Sequence, residues 1–212
     1  MVEKSTKAAR GTVQCENTNI NLLKANDFVA DIIKKEMANK GTLLINITSS
    51  AGSGKTTLMQ KTAQKLKDKT GIQALQIVTG GICHLEAQMV HQVLDQFDLE
   101  SIDLLFIENV GNLVCPSSFD LGEDYRVTLM ATTEGDDKPK KYPKMFLTSD
   151  MMLVSKADLL PYVPFSVEAV TKDAREVNHE LEVLQISALS EEGIDEWCEW
   201  LLAKIKQKKD NA

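Results

Sequence analysis

The 212 residues are 43% hydrophobic and 26% charged, ordinary proportions for a globular chain long enough to bury a core. A net charge of −7 gives no reason to expect nucleic acid, and four irregularly spaced cysteines do not suggest a disulfide framework. No apolar run approaches the roughly 20 residues that span a bilayer, and the charged start, Met1 to Arg10, lacks the apolar core of a signal peptide, so a cytoplasmic protein without a membrane partner is expected.

Residues 1–20 read as a flexible segment. Leu22, Val29, Ile32, Ile33 and Met37 then recur near helical spacing and predict an amphipathic helix over Asn21–Asn39, ended around Gly41, that covers the domain or meets a partner. The apolar run Leu43–Ile47 leads into Ser49-Ser50-Ala51-Gly52-Ser53-Gly54-Lys55-Thr56-Thr57, and a helical segment over Leu58–Leu66 follows. Strand, Gly-rich loop and helix in that order form a phosphate-binding loop. Small residues let backbone N–H groups curl around phosphates, and the helix N-terminus adds its positive end. Lys55 is placed to reach the β- and γ-phosphates and the Thr56 hydroxyl to ligate Mg²⁺, with Gly52, Ser53, Gly54 and Thr57 as further nucleotide contacts. The usual pattern begins with Gly, and Ser49 stands there instead.

Further strands are predicted at Ala74–Val78, Asp103–Ile107, Tyr125–Ala131, Met151–Ser155 and Glu182–Ser187, and helices at His84–Phe97, Ser166–Val177 and Glu191–Gln207. This alternation predicts an α/β fold, a mostly parallel sheet with helices on both faces, whose ligands sit beyond the C-terminal strand ends. The chain divides into the N-terminal segment, one domain over 21–207 and a tail over 208–212.

The strand ends carry the expected chemistry. Glu108 closes an apolar strand, where it can bind Mg²⁺, and Gly111 leaves room for a backbone N–H to approach a γ-phosphate. Ser155-Lys156-Ala157-Asp158 closes another: the Asp158 carboxylate can accept from the guanine ring N–H and amine, while the Lys156 stem packs on the base. Adenine offers no such donors, so GTP is favoured over ATP. Asn is usual where Ser155 stands, so a supporting hydrogen bond is expected to be weakened. Ser187-Ala188 is a small-residue loop whose N–H can bond the guanine O6.

Gly80-Gly81-Ile82-Cys83-His84 places a thiol and an imidazole at the opening of a predicted helix, where the dipole favours a thiolate, and Cys115 follows the Glu108 region. Such donors suit Zn²⁺ or Ni²⁺, although buried unreactive cysteines are the alternative reading. Cys15 stands alone, and Cys198, between Trp197 and Trp200, reads as core.

From about Asn21 to Leu202 the chain resembles the HypB family, nickel-delivery GTPases of [NiFe]-hydrogenase maturation. The specific stretches are Thr79–Val90 (TGGICHLEAQMV), Ile107–Gly122 (IENVGNLVCPSSFDLG) and Thr133–Phe146 (TEGDDKPKKYPKMF). The resemblance implies a P-loop fold, slow GTP hydrolysis, a nucleotide-dependent homodimer and an interfacial metal site on Cys83, His84 and Cys115. It also implies as partners a nickel-binding accessory protein of the HypA type and a hydrogenase large-subunit precursor. Two departures stand out. There is no N-terminal cysteine motif or His-rich tract. The family's strand and switch loop after the phosphate-loop helix are also missing, because Lys69 runs directly to Thr70. An omitted mobile stretch is expected there, with the two Cα atoms well beyond the ~3.8 Å of a trans peptide. A small-molecule kinase, or an interaction module with negligible turnover, are the competing readings.

Overall fold

A computed structural model of the chain describes residues 5–76 and 81–211, with side chains for residues 21–72 and 81–211. Six strands, β1 (Leu43–Ser49), β2 (Ile72–Gln76), β3 (Leu104–Gly111), β4 (Tyr125–Ala131), β5 (Met151–Ser155) and β6 (Glu182–Gln185), form one sheet in the order β2-β3-β1-β4-β5-β6. Every pairing is parallel. The helices are α1 (Ser5–Lys40), α2 (Lys55–Leu66), α3 (Ala87–Leu94), α4 (Lys138–Lys141), α5 (Pro143–Leu147), α6 (Val167–Val177) and α7 (Ile194–Asp210).

The two-residue period of the strands sorts their side chains onto opposite faces. Leu43, Ile45 and Ile47 of β1 join Leu104, Phe106, Val127 and Leu153 in a core closed by Leu58 and Leu66 of α2 and Trp197 and Leu201 of α7. The Trp197 ring N–H donates to the Thr62 hydroxyl at 2.9 Å, which fixes α7 on α2. On the other face, Leu44, Leu105 and Ile107 meet α1 and α3, while Met130, Met152 and Val154 meet α5 and α6. A sheet covered on both sides is what near-continuous apolar strands require.

Helix α1 covers the domain through Ala30, Ile33 and Met37, all fully buried. Asn26 on the same helix accepts from the Ala87 amide at 2.8 Å and so caps α3 from outside. Leu22 and Ile32 are not part of this face: they are 57% and 38% exposed. The backbone is helical back to Ser5, where an irregular segment was expected; residues 5–20 hold no proline and one glycine, so nothing stops the helix running backwards. Residues 1–4, residues 77–80 (with the Val78 and Gly80 of the sequence reading), Ala212 and the Cys15 side chain lie outside the described set.

The expected break after α2 does not occur. The Lys69 and Thr70 amides donate to the same acceptor, Leu66 O, at 2.8 and 3.0 Å, and Gly71 N then bonds Asp103 Oδ2 at 2.8 Å. One closed turn therefore carries the chain from α2 into β2. Because all six strands run one way, Ser49, Gly111, Ala131, Ser155 and Gln185 end at a common edge of the sheet.

Candidate functional site

At that edge the phosphate loop turns through Gly52 (φ 77°) and Gly54 (φ 97°), conformations that exclude most side chains. Gly54 is the N-cap of α2 and offers no side chain to its first amides, which leaves those donors for a ligand. Lys55 is only 8% exposed, and its ammonium donates to Ser49 Oγ at 2.7 Å. The Ser49 departure thus supplies an oxygen that holds the lysine. Burial lowers the Lys55 pKa from its ordinary 10.5, opposed by the charges of Glu108 and Glu134. The Thr56 hydroxyl donates to Glu108 Oε1 at 2.5 Å, so the two expected Mg²⁺ oxygens lie side by side. Gly111, in register with Ser49, backs directly onto Ala51.

Glu134 belongs to the site and was assigned no role from sequence. It follows β4, and its Oε1 accepts from Ser53 Oγ at 2.5 Å and from the Ala131 amide at 3.3 Å. Its Oε2 is buried with no hydrogen-bond partner among the described residues. The TEGDDKP stretch and the acid just past a strand were the available signals.

Next to the loop lies a cavity of about 340 Å³ lined by Ser53, Gly54, Thr57, Lys156, Asp158 and Ala188 among others, within the range of ligand clefts. Asp158 Oδ1 accepts from Ser187 Oγ at 2.5 Å, which aims the carboxylate. Lys156 adopts a left-handed conformation (φ 58°), and its carbonyl accepts from the Thr132 hydroxyl at 2.9 Å. Ser155 does not forfeit the supporting bond expected of Asn: its Oγ donates to Ser53 O at 2.8 Å and ties this cavity to the Gly-rich loop. A second cavity of similar size lies among Lys34, Asp120, Glu123, Arg126 and Asp150. Its charges pair internally, Arg126 with Glu123 at 2.6 Å and Lys34 with Asp120 at 2.5 Å, and it is remote from the strand ends that carry the chemistry.

The Cys83 and Cys115 sulfurs are 3.0 Å apart, and Cys83 Sγ is 3.5 Å from His84 Nδ1. The three ligand atoms fall within 4.8 Å of one another, a spacing that suits one soft cation. His84 stacks on Phe119 with centroids 4.0 Å apart. Its Nε2 lies 3.4 Å from Glu86 Oε1 and makes no hydrogen bond among the described residues. The helix-dipole expectation fails here. Helix α3 starts at Ala87 with Glu86 as an extended N-cap, so Cys83 and His84 sit in the preceding turn. The hydrogen-bonded Cys115 neighbour pushes the Cys83 thiol up, not down. Cys198 is buried in the core, as expected.

Residues 64–185 match the family model described as CobW/HypB/UreG, nucleotide-binding domain. The hydrogenase maturation factor HypB of Escherichia coli K12 is 45% identical over 203 residues, covering 86% of this chain and 70% of the relative. Those 203 positions use about 182 residues here, so about twenty positions of the relative face a gap. The crystal structure of HypB from Archaeoglobus fulgidus superposes with a TM-score of 0.81 at 37% identity, covering 85% of this chain and 98% of that one. HypB from Helicobacter pylori in complex with nickel also gives 0.81, at 33% identity, with 87% and 97% covered.

Proposed function

We propose a GTP-switched nickel-delivery role for this chain, which belongs to the HypB family within the CobW/HypB/UreG nucleotide-binding group. One observation carries the proposal: the strand that presents Glu108 to Thr56 runs within a few residues to Cys115, 3.0 Å from Cys83. Phosphate chemistry and soft-metal ligands therefore hang from the two ends of one short segment.

In this reading Gly52, Ser53, Gly54, Lys55, Thr56 and Thr57 hold the phosphates, and Lys55 leaves Ser49 for the β- and γ-oxygens. Thr56 and Glu108 hold Mg²⁺, which neutralises charge on the phosphates when bound. Asp158 reads the guanine edge, with Lys156 beneath the base and Ser187 and Ala188 beside it. Gly111 brings backbone to the γ-phosphate. Cys83, His84 and Cys115 carry the cargo, Ni²⁺ or Zn²⁺. Three ligands leave a coordination position open, and the exposed Ile82 and Val114 beside the thiols favour a second protomer covering the site. The nickel named for the H. pylori relative favours Ni²⁺ as cargo. Residues 21–207 act as the single GTPase domain, in the cytoplasm; no described helix is long and apolar enough to cross a membrane. A HypA-type nickel protein and a hydrogenase large-subunit precursor are the proposed donor and acceptor.

One observation favours a second reading. The closed Lys69–Thr70 turn carries α2 straight into β2 with no switch loop between them, so the chain acts as a nucleotide-dependent interaction module with negligible turnover if nothing replaces that loop. Metal titration of the Cys83→Ala and Cys115→Ala variants tests the delivery role. Both should lose Ni²⁺ or Zn²⁺ and keep GTP; full metal binding by the double variant would leave a plain GTPase.

A further inference from the structure

Asn112 stands between the strand that carries Glu108 and the thiol of Cys115. Its Nδ2 donates to the Cys83 carbonyl at 3.0 Å, and its Oδ1 accepts from the Val114 amide at 2.8 Å. One side chain thus ties the backbone of Cys83 to the backbone just before Cys115. The two cysteines lie 32 residues apart in sequence, and Cys83 and Val114 are exposed; beside the His84–Phe119 stack, the Asn112 side chain joins the two turns by hydrogen bonds to their backbones.

The other end of this connection is stiff. Gly111 lies so close to the phosphate loop that a Cβ on it would stand 2.7 Å from Ala51 Cα. The Asn112 amide closes a tight turn onto Val110 O at 2.8 Å, and the next residue, Leu113, is buried against Met130 and Phe146. A displacement of Ala51 is therefore met first by Gly111. With Leu113 pinned in the core, the Asn112 side chain is the part of this segment that reaches the Cys83 turn.

We infer that Asn112 is a positioning residue that holds Cys83 and Cys115 as one ligand pair and carries movement of the phosphate loop to them through Gly111. This rests on the metal-delivery reading above. Asn112 touches neither nucleotide nor metal ligand atoms; it acts on the backbones that bear them. Such a link is a coupling free energy between two sites, so the test measures coupling.

The experiment uses the full chain and Ni²⁺ alone as probe, titrated against a chromophoric competitor in the presence of GDP or of a non-hydrolysable GTP analogue. GTP binding reports that each variant is folded. Asn112→Ala should bind nucleotide within about twofold of wild type, because it leaves the phosphate loop intact. Its Ni²⁺ affinity should fall about fivefold to tenfold, and the ratio between nucleotide states should collapse to about one. Asn112→Asp keeps the acceptor for Val114 but sets a carboxylate oxygen against the Cys83 carbonyl, so it should move the ratio in the same direction. A folded Asn112→Ala protein that keeps the wild-type ratio overturns the inference and leaves the coupling reading intact. Equal Ni²⁺ affinity in both states of the wild type defeats the coupling reading, and the inference with it.

Discussion

Alanine at position 111 probes the contact on which the proposed phosphate sensing depends. An ideal Cβ there would lie 2.7 Å from Ala51 Cα, 2.8 Å from Ala51 N and 3.0 Å from Ala51 Cβ. The obstacle is the phosphate-loop backbone, and Gly111 is held in register with Ser49, so no rotamer change relieves the clash. Carbon atoms settle at about 3.5–4.0 Å, so strand and loop must part by roughly 0.8–1.3 Å. Overpacking of this kind costs about 1–3 kcal/mol, and for a chain of this size each kcal/mol lowers Tm by about 2–4 °C. Because the strain falls on the loop proposed to wrap the phosphates, GTP affinity should drop about fivefold to a hundredfold. Calorimetry of the free protein and titration with a fluorescent GTP analogue measure the two effects. Wild-type melting together with wild-type GTP affinity refutes the close contact; a lower Tm with intact affinity refutes its bearing on the nucleotide.

Asp158→Asn should weaken GTP and admit xanthine nucleotides, because the amide reverses one donor–acceptor match; unchanged GTP affinity removes the base-reading role. Ser155→Ala removes the 2.8 Å bond to Ser53 O and should cost about 0.5–1.5 kcal/mol of stability, with a matching loss of GTP affinity; no change in either means Ser155 is not a strut. Lys55→Ala should abolish tight nucleotide binding while the protein stays folded, and normal hydrolysis by that variant would sink the loop assignment. The pKa of Lys55 lies below 10.5 in the free protein, and only the ammonium attracts phosphate. GTP affinity should therefore hold at neutral pH and decline as pH rises through that depressed value. Over the same window the unfolded chain binds more protons than the folded one, so the free protein's stability should rise with pH. Affinity that is flat up to pH 10.5 contradicts the assignment.

Much of the site was legible because parallel-sheet chemistry collects at strand ends. Lys55, Thr56, Glu108 and Asp158 each follow an apolar run, and the structure brings them to one edge. Cys83, His84 and Cys115 were legible from residue type and likewise converge. What failed depended on contacts between distant segments. Asn26 capping α3 and Glu134 holding Ser53 span 61 and 81 residues, and no local pattern announces them. The start of α3 was placed too early because His84, Leu85 and Glu86 are all acceptable helix residues, and it is a tertiary cap at Ala87 that begins the helix. Ser155 was misjudged for the same reason: its short side chain suffices because the Ser53 carbonyl comes to it. At Lys69–Thr70 the chain closes in one turn where a break was expected, while the missing stretch that prompted the expectation agrees with the about twenty positions at which the E. coli relative faces a gap.

Nickel affinity of the wild-type protein, measured with GDP and with a non-hydrolysable GTP analogue, tests the central claim most directly. A GTP-switched delivery protein must bind Ni²⁺ with different affinity in the two states, and Ni²⁺ must shift the relative affinities of the two nucleotides by the same factor. The account predicts a ratio clearly different from one that disappears when Cys83 and Cys115 are both replaced by alanine. An identical Ni²⁺ affinity in both nucleotide states contradicts it.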